Sequence, residues 1–290
     1  MSSSAYVILK RILPGPLRAG GRRTINYLRR RRNWRAVLRE VEGVTPADDE
    51  IIRRSARIGK RDAIRSLDAW HDPVLVDDAT VRLHGIGEFV IRGNSDDLFA
   101  ILPSRERAVV AAFRRILKPG SLFVDAGANI GFFTLLAARL VGDGPVIAIE
   151  MMPDTAVRLR ANVARNAVAN VTIIECALSN RSGDEVRAAM PEHQYARASI
   201  AEATTPGQRE VSVRTRTLDD VLADVPGPIE LIKMDLEGAE PMAIAGAEQS
   251  LARTRYVIFE QLEGDRAAGL LESKGFRLRM LDSTNVLAER

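Results

Sequence analysis

Cysteine occurs once in this 290-residue sequence, at Cys176, so neither an intrachain disulfide nor a zinc site built from several thiolates can form. A reducing cytoplasm suits such a chain. Aromatic residues make up only 5%, and the three histidines, His71, His84 and His193, are scattered along the chain. No apolar run approaches the roughly 18 residues that a spanning helix needs. Acidic residues are missing from residues 1–39, which hold eleven Lys or Arg. Against a whole-chain charge of +4, the remainder therefore carries −7.

That basic leader admits three partners: nucleic acid, an anionic membrane surface, or water alone. Its only aromatics are Tyr6, Tyr27 and Trp34, with no nucleic-acid motif, so no nucleic-acid partner is expected. Apolar positions at Ala5–Leu9 and Ile12-Leu13 are too few for a secretory signal, and Pro14-Gly15-Pro16 follows them. A peripheral contact with an anionic membrane through residues 1–39 stays open, as does an organellar transit peptide. Residues 20–70 read as helical, broken at Gly43-Val-Thr-Pro46, with Asp48, Asp49 and Glu50 suited to a helix start.

From residue 73 the pattern changes to short strands at Val74–Val76, Val81–Leu83 and Glu88–Ile91, a small β lead-in over 73–103. An amphipathic helix spans Arg105–Leu117 and stops at Lys118-Pro119-Gly120. Strands and helices then alternate, which argues for an α/β fold with a mostly parallel sheet and helices on both faces. Strands are expected at 122–126, 146–150, 171–175, 229–234 and 256–260, followed by an antiparallel pair near 276–281 and 285–288. The long connection from Ser179 to Thr217 reads as a hairpin-bearing insertion over the ligand edge of the sheet. The domain division is thus a basic helical extension, 1–72, and a catalytic domain, 73–290, whose core is 104–290.

The most informative stretch is Leu122–Glu150: a strand, a glycine turn, a helix, and a second strand ending in an acid. Gly127 and Gly131 let the backbone turn tightly, and Asn129 tolerates positive φ. A dinucleotide fingerprint beginning at Gly127 would need glycines where Asn129 and Phe132 stand. S-adenosylmethionine fits better, since its tail carries an amine and a carboxylate and no phosphate. Asp125 can meet such an amine, Thr134 at the start of the following helix is a further cofactor-binding candidate, and Glu150 is placed to accept from a ribose diol.

Asp125-Ala-Gly-Ala-Asn-Ile-Gly131, Asn162 and Asn166, Cys176-Ala-Leu-Ser179, Thr217-Leu-Asp-Asp220 and Ile232-Lys-Met-Asp-Leu-Glu-Gly-Ala-Glu240 occur in that order. Together, from about Phe89 to Gly275, they resemble the FkbM-type methyltransferases. The resemblance implies a class I, Rossmann-like S-adenosylmethionine enzyme that methylates a hydroxyl on a sugar, glycolipid or polyketide-like small-molecule acceptor. It also implies an adenine wall at Cys176 and Ala177. The family usually follows its ribose-binding Glu with Pro, whereas Met151 and Met152 intervene here before Pro153. The alternative is a non-catalytic cofactor-binding or membrane-associated scaffold with the same fold.

Methyl transfer to a hydroxyl needs alignment and a proton acceptor. Asp235 ends the fourth core strand, with Glu237 two residues on, so that one faces the cofactor and the other the acceptor. Lys233 shares the face of Asp235 and either orients an acceptor oxygen or neutralises nearby acids. Asp235, Glu237, Glu240 and Glu260 together admit a divalent cation such as Mg²⁺, the competing role of Glu237 and Glu240 being to cap a helix. His193, in the insertion with Tyr195 and Arg197, is a second candidate base.

Overall fold

A computed structural model describes residues 15–65, 73–191, 194–200, 208–261 and 266–290. Its centre is a seven-stranded sheet of β4 (Phe123–Ala126), β5 (Val146–Glu150), β6 (Val171–Glu175), β11 (Ile229–Met234), β12 (Thr254–Glu260), β13 (Arg277–Met280) and β14 (Asn285–Glu289). The order β13-β14-β12-β11-β4-β5-β6 is parallel except for β14, which runs antiparallel to both its neighbours, β12 and β13. Every residue of β4 and β5 is buried, as expected of strands covered on both faces, whereas β6, at the edge, is half-exposed. This is the Rossmann-like order of class I methyltransferases. All seven strands fall where the hydrophobic pattern placed them, to within two residues at most boundaries.

The chain order reverses between β4 and β11, and the crevice at their carboxyl ends is where such sheets bind ligands. Above it sits the insertion after Ser179, whose hairpin pairs β8 (Glu185–Pro191) with β10 (Gln208–Arg216). The two short strands β7 (Ala177–Leu178) and β9 (Ser199–Ile200) complete that four-stranded layer.

The lead-in departs from the expected pattern. Its sheet is β1 (Val41–Gly43), β2 (Ala79–Leu83) and β3 (Gly87–Ile91), with β1 antiparallel to β2. Residues 74–76 are not a strand: Leu75 is fully buried and its carbonyl accepts from Asn94 N at 2.7 Å, while Val76 N donates to Ser55 Oγ at 3.0 Å. The three-residue strand that replaces them was invisible to a period-two search because it is shorter than the pattern.

Pairing of β1 with β2 carries the sheet across the 72/73 boundary. The helix Gly15–Glu40 is likewise joined to the rest, because Trp34 and Val37 are buried in the main core. A Cβ on Gly59 would stand 2.3 Å from Trp34 Nε1, so glycine is what lets the helix Pro46–Arg65 close on the indole. That second helix opens with a reciprocal cap: Thr45 N donates to Asp48 Oδ2 at 2.9 Å, and Asp48 N to Thr45 Oγ1 at 3.2 Å. No described helix is long and apolar enough to cross a membrane.

Asn162 and Asn166, on the helix Pro153–Arg165 and its C-cap, tie the lead-in to the core. Asn162 Oδ1 accepts from Val90 N at 2.8 Å, and its amide donates to the Ile130 carbonyl at 2.8 Å. Asn166 Oδ1 accepts from Glu88 N at 2.9 Å. Asn162→Ala leaves two buried backbone groups unpaired, so urea unfolding is expected to show a loss of roughly 2 kcal/mol or more. Asn166→Ala, half-exposed, is expected to cost less.

Candidate active site

The turn after β4 is held by its neighbours on both sides. Gly127 N and Ala128 N both donate to the Ile149 carbonyl, at 3.0 and 2.9 Å. Gly127 has φ +85°, and a Cβ there would lie 1.9 Å from the Asp235 carbonyl oxygen. Glycine is therefore required by the approach of the β11 turn, apart from any ligand. Asn129, at φ 48°, and Gly131, at φ 97°, complete the loop. Gly131 serves helix packing, since a Cβ would meet Leu159 Cδ1 at 2.6 Å.

Glu150 supports this loop from β5. Its Oε2 accepts from Asn129 N and its Oε1 from Met152 N, both at 2.8 Å. The two methionines before Pro153 thus keep the carboxylate anchored, and Glu150 still lines the cleft. Each carboxylate oxygen retains a lone pair for a hydroxyl donor. Asp125 lies behind the loop, 1% exposed, accepting from Thr134 Oγ1 at 2.6 Å while its Oδ1 has no partner. Asn129 Oδ1 is similarly buried and unpartnered. Of the two, Asn129 belongs to the cleft lining, where an acceptor suits a cofactor bearing an amine and hydroxyls, whereas Asp125 stays behind the loop.

The cleft and its open mouth together span about 920 Å³, open solvent included. Gly127, Asn129, Glu150 and Cys176 line it on one side; Lys233, Asp235, Leu236 and Glu237 line it on the other. Thr134, Asp125, Gly131 and Ala177 do not line it. Thr134 is fully buried against Asp125, and Ala177 packs in an apolar cluster with Met152 and Met190. Cys176 does face the cleft, and burial pushes its thiol up to about 11, which leaves a neutral apolar wall. His193 and His71 lie outside the described residues. Tyr195, near His193 in sequence, reaches the cleft with the Arg92 guanidinium 3.5 Å from its ring centroid.

The charged floor centres on Lys233, whose Nζ donates to Asp235 Oδ2 at 2.9 Å and lies 4.7 Å from the Phe133 ring centroid. Burial alone would lower the Lys233 pKa, but Asp235, Glu106 and Asp125 together raise it. Burial would likewise raise Asp235, and the Lys233 ammonium overcomes it, holding the carboxyl below its usual range. Glu106 shows the opposite balance: burial lifts its pKa despite Lys233 and Arg105, and its Oε2 has no partner. No motif marks Glu106. It precedes the helix Arg107–Ile116, in the stretch where amphipathic periodicity was the only signal.

Asp235 and Glu237 both line the cleft. The strand ends at Met234 and Glu237 adopts φ 50°, so strand periodicity no longer applies. Carboxylate oxygens of Asp235, Glu237 and Glu260 lie within 4.8 Å of one another. Glu240 is instead a capping residue, accepting from Leu236 N at 2.7 Å and Gly238 N at 2.9 Å.

Burial pushes the Glu150 pKa from an ordinary 4.5 up to about 7, against the backbone donors Met152, Asn129 and Met151. The folded protein then holds this proton more tightly than the unfolded chain. The resulting stability is fully present below pH 4.5 and is lost as pH rises towards 7, by about 3 kcal/mol in all. Chemical unfolding of the cofactor-free protein between about pH 5 and pH 8 should show this decline, and Glu150→Gln should flatten it. An equal slope in the variant would assign the decline to another group.

The Methyltransferase FkbM domain model matches residues 125–278. The chain is 30% identical over 194 residues to 31-O-demethyl-FK506 methyltransferase FkbM of Streptomyces tacrolimicus, covering 55% of this chain and 74% of that one. It is 25% identical over 195 residues to 2-O-methyltransferase NoeI of Sinorhizobium fredii (strain NBRC 101917 / NGR234), covering 59% and 75%. Among solved structures it is similar to precorrin-6y C5,15-methyltransferase from Geobacter metallireducens GS-15, with TM-score 0.40 and 16% identity over 63% of this chain and 88% of that one. With the family model matched from the glycine turn through β13, the chain belongs to the FkbM family of S-adenosylmethionine-dependent methyltransferases.

Proposed function

We propose that this methyltransferase acts on a hydroxyl group of a glycosyl, glycolipid or polyketide-like acceptor. The observation that carries the reading is the carboxylate group at the cofactor cleft, and within it Glu106. A hydroxyl becomes a competent nucleophile as it loses its proton, and a base works best when its pKa lies near the working pH. Glu106, raised by burial and with a free oxygen, meets that requirement better than Asp235, which Lys233 holds ionised. The relatives named for 31-O- and 2-O-methylation support the same chemistry.

S-adenosylmethionine, when bound, supplies an electrophilic methyl group on sulfur. Glu150 would accept from its ribose, the Gly127–Asn129 backbone would border it, and Cys176 and Leu178 would give an apolar wall. At the acceptor side, the Asp235 carboxylate accepts from a neighbouring donor group of the acceptor and so fixes the direction of the reacting hydroxyl. Glu106 takes the hydroxyl proton onto its unpaired Oε2, leaving the electron pair on the acceptor oxygen. Lys233 stays protonated throughout and stabilises both carboxylates as charge moves.

A second version uses metal. The oxygens of Asp235, Glu237 and Glu260 form a hard donor set suited to Mg²⁺, and a hydroxyl bound to such an ion is more acidic. The two versions part under mutation.

With the methyl acceptor in hand, Asp235→Asn and Glu106→Gln are each expected to retain S-adenosylmethionine binding while turnover falls roughly a hundredfold or more. Wild-type activity should rise with pH as Glu106 ionises, at a pH above the ordinary glutamate range, and Glu106→Gln should remove that limb. Equal losses in Glu237→Gln together with sensitivity to chelator would favour the metal version. Near-wild-type turnover in both Asp235→Asn and Glu106→Gln would place the catalytic edge elsewhere, with His193 the next candidate.

A further inference from the structure

A second cleft opens beside the cofactor cleft and shares Arg105, Glu106 and Asp235 with it. Its outer wall is the helix Gly15–Glu40, which presents Arg29, Arg32, Arg35 and Arg39, joined by Arg105 and Arg107. Helical geometry explains the wall: residues 29, 32, 35 and 39 fall on one side of a helix and extend over about 15 Å. Trp34 and Val37, on the opposite side, are buried in the core, so the arginine face is fixed towards the cleft. Its floor holds Glu106, Asp235, Glu260 and Asp282.

Six guanidinium groups against four carboxylates give this space a positive excess, with Arg105 paired to Glu106 and Arg39 to Glu40. Arg29, Arg32, Arg35 and Arg107 have no ion-pair or hydrogen-bond partner for their side chains among the described residues. These exposed guanidinium groups are only partly screened from one another by solvent, and a bound anion would lower their remaining repulsion. A neutral acceptor would leave that repulsion in place. An anion could not lie on the carboxylate floor, but it could lie along the wall, where guanidinium groups bind phosphate oxygens in pairs.

We propose that the acceptor carries a phosphate or diphosphate group, bound by the arginine wall, which turns the acceptor's hydroxyl end towards Glu106 and Asp235. This rests on the O-methyltransferase reading and narrows it. The bipolar cleft sets direction: reversed entry would bring the phosphate against four carboxylates. An anionic bilayer is the competing partner for the same arginines. These side chains are exposed, but they line a recess whose floor is the catalytic edge, so an anion held there lies beside Glu106 and Asp235, whereas a bilayer surface would not.

The full chain saturated with S-adenosylhomocysteine should bind pyrophosphate and glucose 1-phosphate, and not glucose, in titration calorimetry. Arg32→Ala/Arg35→Ala should weaken both tenfold or more, Arg32→Lys/Arg35→Lys should recover part of the loss, and S-adenosylhomocysteine affinity should stay unchanged in both. Monomeric dihexanoyl phosphatidic acid separates the sources: tighter binding than glucose 1-phosphate indicates a lipid-linked phosphate, weaker binding a soluble one. Absence of anion binding by the wild type, or equal affinity in the alanine variant, would overturn the proposal. So would binding to phosphatidylglycerol-containing vesicles with none to the soluble anions. Mass analysis of the labelled product distinguishes this inference from the reading beneath it. An uncharged O-methyl ether refutes the anionic acceptor alone; a phosphorylated product methylated on nitrogen or carbon refutes O-methylation alone.

Discussion

A buried ammonium surrounded by carboxylates is the interaction on which the remainder of this site depends. Lys233 lies on β11 directly beside Asp125 of β4 in the parallel register, and it bonds Asp235 beyond the strand end. Burying so many charges is tolerable only because they compensate one another. Removing the ammonium would leave Asp125, Asp235 and Glu106 to repel one another in a poorly solvated space. The expected outcome is protonation of one or more of them. The cation therefore sets which carboxylate is ionised and which retains a proton. Asp235 is held as an anion, and Glu106, farther along the same cleft, is left as the group able to change state.

Much of this was legible in the sequence, for physical reasons that can be named. The parallel strands are buried on both faces, so Val146–Glu150 and Ile229–Met234 announce themselves as apolar runs bounded by turns. The glycine loop was legible because positive φ restricts residue choice, and Lys233 with Asp235 because strand alternation puts them on one side. The loop's glycine meets the inferred need, with φ +85°, and a second one besides. Gly127 makes room for the Asp235 carbonyl, a contact between segments more than a hundred residues apart, which no local pattern encodes.

What stayed hidden has a common cause. Glu106 precedes an ordinary amphipathic helix, and its character comes from Lys233 and Asp235, which are distant in sequence. Asn162 and Asn166 could be noted as part of a motif, but only the fold shows that they satisfy backbone groups of β3 and the glycine loop. Thr134 marks the start of the helix after the loop, yet it points at Asp125 and not into the cleft. Val41–Gly43 is a strand only because Val81–Leu83 offers an edge to it. In each case the local sequence permits the structure and a remote partner selects it.

The second cleft joins parts of the chain made far apart in time. Its wall comes from residues 29–39 and its rim from Asp282 to Asn285. During synthesis at about 5–20 residues per second, the arginine helix must wait on the order of ten seconds or more for that rim to emerge. The strands that carry the glycine loop, Glu150 and Lys233 are all complete before then. The strands that shape the cofactor cleft thus lie in a run of chain that leaves the ribosome before the last wall of the second cleft does.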